Sequence, residues 1–164
     1  MLPIAGEIVM WAGELTAANA QKLEAAGWLP CDGRSVPRAK YADLFAAIGT
    51  KYEDGQVSIP ENFFLPDFGG RSPIGANAAQ KGGRSVRAVG KSVGEEMHTL
   101  TVEEMPSHSH RTPAYTGTDG DHTRRDNGLF GATTGGTEAA GGGQPHSNMQ
   151  PSLIVSFLIR FRSG

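Results

Sequence analysis

Between Arg111 and Gln144 the chain runs through Gly, Thr, Asp and Ala, with Gly141-Gly142-Gly143 near its end and only Tyr115, Leu129 and Phe130 as large apolar residues. A stretch this poor in apolar side chains cannot build its own core. It reads as a long excursion of loops, and loops carried on a rigid scaffold are where binding usually sits; the plain alternative is a disordered insertion with no partner. The whole chain, 164 residues with 38% hydrophobic content, has material for one domain or for two small units sharing a core. Its 23 glycines are about twice the usual share of roughly 7%, which points to turns and irregular connections and away from a helix bundle.

Charge gives no global case for nucleic acid or an anionic membrane, since 15 Lys+Arg face 17 Asp+Glu for a net charge of -2. Locally, from Gly69 to Gly94, the charged residues are Arg71, Lys81, Arg84, Arg87 and Lys91, without an acid among them. That strip reads as a solvated linker or as a contact for anionic polysaccharide or a neighbouring protein. Cys31 is the single cysteine, so neither an intrachain disulfide nor a cysteine zinc cluster can form, and a small buried hydrophobe is the expected role. No apolar run approaches the ~20 residues that span a bilayer, so no membrane insertion is expected. The N-terminus lacks a basic leader followed by an apolar core. Synthesis in the cytoplasm without a signal peptide is the expectation, and a chain released by lysis needs none to leave the cell.

The elements follow from periodicity. Ile4 to Trp11 is a short apolar run bounded by glycines, giving a first strand at Glu7 to Ala12. Thr16 is placed to cap a helix that stops at Gly27, with Leu23 its one large apolar residue, so light packing is expected. Gly27 to Gly33 reads as a short strand ending in an Asp-Gly turn. Ser35 can cap a second helix with Pro37 in its first turn, and Tyr41, Leu44, Phe45 and Ile48 fall at i, i+3, i+4, i+7. Near the end, Phe157, Ile159 and Phe161 alternate with Leu158, Arg160 and Arg162, which predicts a strand with one buried face.

The most chemically suggestive stretch is Glu104-Met105-Pro106-Ser107-His108-Ser109-His110-Arg111. Pro106 biases Met105 away from helix, and in extended chain His108 and His110 would present their rings on one face. Thr101 and Glu104 have capping-box spacing, so a single helical turn should deliver the chain into this pair. Two imidazoles are too few for a closed site, which needs about four ligands for zinc or about six for an octahedral ion. The remainder would come from His98, His122 or His146 of the same chain, or from the same pair on symmetry-related chains. The bland alternative is two hydrogen-bonded surface histidines.

Catalytic readings find little support. His108, His110 and His146 with Glu104 can be drawn as a hydrolytic zinc site, but no H-E-x-x-H is present. No G-x-S-x-G elbow supports a Ser nucleophile, and the Gly-rich link lacks a Walker ending. The chain is read as not an enzyme.

Four segments in order, G-E-I-V-M-W, G-W-L-P-C-D-G-R-S-V, Y-A-D-L-F-A-A-I-G-T-K-Y and F-F-L-P-D-F-G-G-R-S-P-I-G, resemble the phage tail-collar family of tail-fibre and short-tail-fibre proteins. A similar module opens the bacterial proteins called microcystin-dependent. The later H-T-L-T, M-P-S-H-x-H and P-H-S-N-M-Q-P segments resemble the distal part of collar-bearing fibres. The fold class implied is α+β: a collar module over residues 1–75 with short strands and two helices, a basic Gly/Ser-rich linker over 76–94, and an irregular, loop-rich, intertwined β tip over 95–164 that includes the 112–144 insertion and the C-terminal strand. The resemblance further implies a homotrimer with His108 and His110 of three chains around one axial metal ion, iron being favoured and nickel or zinc possible. His98 and His146 match family positions and are read as hydrogen-bonding groups near the trimer seam. The function implied is a non-enzymatic receptor-binding tip of a phage or a phage-derived contractile particle, joined to other tail or fibre proteins. It would bind a host-surface glycan or lipopolysaccharide through loop residues such as Tyr115, Asp119, Asp121, His122, Arg124, Arg125, Asn127 and Phe130. The alternative is a structural collar or tip plug with no receptor recognition.

Overall fold

The computed structural model describes residues 3–53, 55–57, 59–80, 82–108 and 142–164. Two compact units result: Met1–Gly94 together with Pro151–Gly164, and Glu95–Gln150. The observed class is α+β, with two helices and short antiparallel strands. Among the described residues, no helix is long and apolar enough to cross a membrane.

The first unit is built on a three-stranded antiparallel sheet of β1 (Ile8–Trp11), β2 (Trp28–Pro30) and β7 (Ser156–Arg160) in the order β1-β7-β2. The strand nearest the end of the sequence is therefore the central one. Grouping that strand with the distal 95–164 segment is corrected by its pairing: Ile159 lies opposite Ile8 on one side and Leu29 on the other. Gly6 and Glu7 extend the ladder, the Gly6 amide donating to the Arg160 carbonyl and the Arg160 amide to the Glu7 carbonyl, both at 2.8 Å. The expectation of one buried face is also corrected. Leu158, opposite Val9 and Pro30, is 2% exposed and Ile159, on the other face of the strand, is 0% exposed, so both faces of β7 are covered there.

A second pair, β3 (Ser35–Pro37) with β4 (Asn62–Phe64), is antiparallel. Ser35 is thus a strand residue rather than a helix cap, and the second helix begins later, at α2 (Ala42–Ile48), with Tyr41 at its N-cap position. The strand wins because Val36 and Phe63, opposite one another, both enter the core. The predicted 3.6-residue stripe survives the shorter helix: Tyr41, Leu44 and Ile48 are buried and Phe45 packs against the same cluster, its ring 5.3 Å from that of Phe63. Leu29, Cys31, Val36, Phe63, Leu65 and Ile159 complete the core. Phe68 stacks on Phe157 at 4.4 Å, and Tyr41 meets Phe161 edge-on at 5.1 Å.

The first helix, α1 (Ala17–Ala25), buries no side chain, as its composition suggests, and Thr16 caps it by accepting from the Asn19 amide. Polar ties hold its far end. Arg160 donates to the Ala26 carbonyl at 2.6 Å and Arg162 to the Ala25 carbonyl at 2.8 Å, satisfying last-turn acceptors with cations that suit the negative end of the helix dipole. Gly27, at φ +92°, lets the chain turn directly beneath these guanidinium groups. Glu24 receives the Lys40 ammonium at 2.7 Å and the Tyr41 hydroxyl at 2.8 Å, which pins the helix to the approach of α2.

The described part of the 76–94 stretch is more than a bare linker. Asn77 and Arg87 exchange backbone hydrogen bonds at 2.9 and 2.8 Å, and the Asn77 side chain donates to the Arg84 and Ser85 carbonyls. Gly90, at φ +87°, passes so close to the Lys51 carbonyl that a Cβ there would clash. Arg71 is bonded to the Asp67 carboxylate, so it is not a spare cation of the basic strip, and Lys81 lies outside the described residues.

Candidate functional site

The second unit is closed by two short strands, β5 (Met97–His98) and β6 (His146–Ser147), paired antiparallel with Met97 opposite Ser147 and His98 opposite His146. The Asn148 amide donates to the Glu96 carbonyl at 2.9 Å and prolongs the ladder. The two imidazoles of the His98–His146 pair meet edge to face, centroids 5.9 Å apart. Sequence reading treats these residues as hydrogen-bonding groups but gives no sign that they face one another, because the residues that separate them carry no periodic pattern to fix a register.

After β5 the chain makes one 3₁₀ turn over Val102–Glu104. The capping box expected from Thr101 and Glu104 forms, the Thr101 amide donating to the Glu104 carboxylate at 2.8 Å. Met105 leaves the turn extended, φ -81° and ψ 137°, as the residue before a proline should. The same Glu104 carboxylate lies 3.0 Å, through each of its oxygens, from Nε2 of His98, and Glu95 lies 2.6 Å from Nδ1. These acids hold the His98 pKa above its ordinary value, Glu95 first and Glu104 second. In turn the Thr101 amide, followed by the His98 ring, lowers that of Glu104. Glu95 and Glu104 as partners of His98 were missed in the sequence; one lies just before β5 and the other in the 3₁₀ turn, so no single helix or strand places both beside the ring.

His108 is exposed, and its Nδ1 lies 3.0 Å from the Pro106 carbonyl. A carbonyl only accepts, so Nδ1 carries the hydrogen and Nε2 is the basic nitrogen of the neutral ring. His110, the other expected ligand, lies outside the described residues, as do Tyr115, Asp119, Asp121, His122, Arg124, Arg125, Asn127 and Phe130. Among the described residues no group of three or more His, Cys, Asp or Glu side chains is placed to hold a metal. Glu104, drawn in sequence as a base beside His108, instead engages His98.

The chain is 27% identical over 165 residues to protein RhiB of Rhizobium leguminosarum bv. viciae, an alignment covering 92% of this chain and 73% of that protein. The phage tail collar domain matches residues 6–73, the stretch that contains β1 to β4 and both helices. Over residues 6–73, therefore, the chain is similar to the phage tail collar domain.

Proposed function

We propose that the chain is a non-enzymatic, homotrimeric tail-fibre tip protein of a phage or phage-derived contractile particle. In this reading its collar domain attaches to other tail proteins, and the residues 112–144 bind a host-surface glycan or lipopolysaccharide. One observation carries the trimer. Every buried hydrophobic side chain of the described residues belongs to the first unit, while the second carries Met97, Leu100, Val102, Met105 and Met149 at exposures between 44% and 75%. A unit with so much apolar surface and no core of its own does not offset the entropy of ordering its backbone, about 1–2 kcal/mol per residue. Copies of the same chain would supply the missing cover.

Association also answers the ligand shortfall. One chain offers two imidazoles in the H-S-H stretch; three chains offer six nitrogens, which suit an octahedral ion such as iron or nickel better than tetrahedral zinc. The donor chemistry fits, since His108 binds the Pro106 carbonyl through Nδ1, the arrangement by which metal-binding histidines fix their tautomer and present the other nitrogen. The bound ion would contribute folding energy and cross-link the chains; the histidines position it, and no reaction is assigned to it.

Native mass spectrometry with metal analysis tests the assembly: about one ion per three chains is expected, and a metal-free monomer would sink it. Removing residues 112–144 tests the binding role. A receptor-binding tip should still assemble and then fail to adsorb to cells, whereas full adsorption by the deleted protein would make it a structural plug.

A further inference from the structure

His98 has a carboxylate at each ring nitrogen, Glu95 at 2.6 Å from Nδ1 and Glu104 at 3.0 Å from Nε2. Carboxylates only accept, so both contacts are hydrogen bonds only when both nitrogens carry protons. A neutral ring has one N–H, and whichever nitrogen lacks it directs a lone pair at an anion. The other titratable group described against this ring is His146, across the β5–β6 pair and perpendicular to it. Its 5.9 Å separation leaves the two carboxylates as the groups in hydrogen-bonding contact with His98.

Position gives this arrangement a consequence. Glu95 precedes β5, while Glu104 ends the 3₁₀ turn and also receives the Thr101 amide. Beyond Glu104 come Met105, Pro106, Ser107 and His108, so the proton count on His98 decides whether β5 is tied to the turn that leads to His108. We propose that Glu95, His98 and Glu104 form a pH-responsive latch, closed when His98 is doubly protonated, that sets the path of the chain from β5 to His108. The latch is a positioning device, and only its bearing on metal binding rests on the clasp reading of His108 and His110. It is fastened at mildly acidic pH and released as the pH rises through the His98 midpoint, because the charged ring is the form that its partners favour.

The test uses the full-length protein and follows the His98 ring by NMR across pH. The expected midpoint lies above the ordinary histidine value of about 6.5, and Glu104→Gln should lower the proton affinity of the ring several-fold. Amide exchange at Thr101, corrected for its intrinsic pH dependence, should lose protection several-fold above the midpoint in the parent and be flat with pH in His98→Gln. A His98 midpoint at or below the ordinary value, or one unmoved by Glu104→Gln, overturns the latch, as does Thr101 protection that ignores the midpoint. Native mass keeps the two readings apart. A metal-free monomer with a raised midpoint defeats the clasp and leaves the latch standing, while a metal-bound trimer with an ordinary His98 defeats the latch alone.

Discussion

Replacing Ile159 by alanine should be among the most damaging single changes to the first unit. Ile159 is 0% exposed and sits in the middle of the central strand, with Ile8 and Leu29 directly opposite in the two neighbouring strands. Directly paired residues share a face of a sheet, so these three side chains form one row, and Leu29 too is 0% exposed. Backbone hydrogen bonds on both edges keep β7 from collapsing into the space that truncation opens. A cost of about 3–4 kcal/mol is expected, within the usual range for such truncations in cores, against about 1 kcal/mol for Ile159→Val. With a urea slope of about 2 kcal/mol/M, the alanine variant should unfold on the order of 1.5–2 M earlier, at an unchanged slope. Tryptophan fluorescence at one fixed protein concentration reads the transition through Trp28 in β2, and the fixed concentration removes any effect of association. Met10→Ala, at a side chain 72% exposed in β1, should move the midpoint by no more than about 0.5 kcal/mol. If Ile159→Ala costs no more than Ile159→Val, the placement of β7 at the centre of the sheet is wrong.

A fragment ending at Gly94 lacks the strand between β1 and β2, so it should show no cooperative unfolding transition by circular dichroism, and fusing residues 151–164 to it through a flexible link should restore one. The thiol of Cys31, buried in the core and pushed up to about 12 by desolvation and then by the Asp32 charge, should ignore a thiol reagent at pH 8 until urea unfolds the chain; fast labelling of the folded protein would contradict the packing. Within the first unit two carboxylates titrate below their ordinary values: Glu24, through Lys40 and then Tyr41, and Asp67, through the Gly69 amide and then Arg71. Each therefore adds stability that is complete above its unfolded value and lost as pH falls through the lowered one, so the urea midpoint should drop between about pH 5 and 3, and Glu24→Gln should flatten part of that fall.

Local signals in the sequence were accurate where one residue type has one physical use. Thr16 before an alanine-rich run caps α1, Thr101 and Glu104 close their box, and the Tyr41-Leu44-Phe45-Ile48 stripe turns to the core. What stayed hidden is pairing between residues far apart in the chain. Ser35 is as good a cap as a strand residue until Phe63 is seen opposite Val36. The alternation of Phe157, Ile159 and Phe161 predicts a one-faced strand, yet Leu158, on the other face, is buried as well, and no local pattern in the sequence marks the cover on that side. In the second unit the partners of His98 come from the chain just before β5 and from the capped 3₁₀ turn after it, whose combined reach follows no single sequence period.

The β5–β6 pair gives the second unit an economy that bears on its proposed use. His98 opposite His146 brings together the segments on either side of the polar excursion, so the ladder itself closes the chain between them. The entropy of closing a flexible loop rises by only about 0.6 kcal/mol for each doubling of its length. The sequence between His108 and Gly142 can therefore lengthen or change in composition at small cost to the ladder, while Glu95, His98, Glu104 and His146 keep both ends in register. If residues 112–144 bind a target as proposed, this arrangement assigns closure to residues other than those that would recognise, so the one can change without the other.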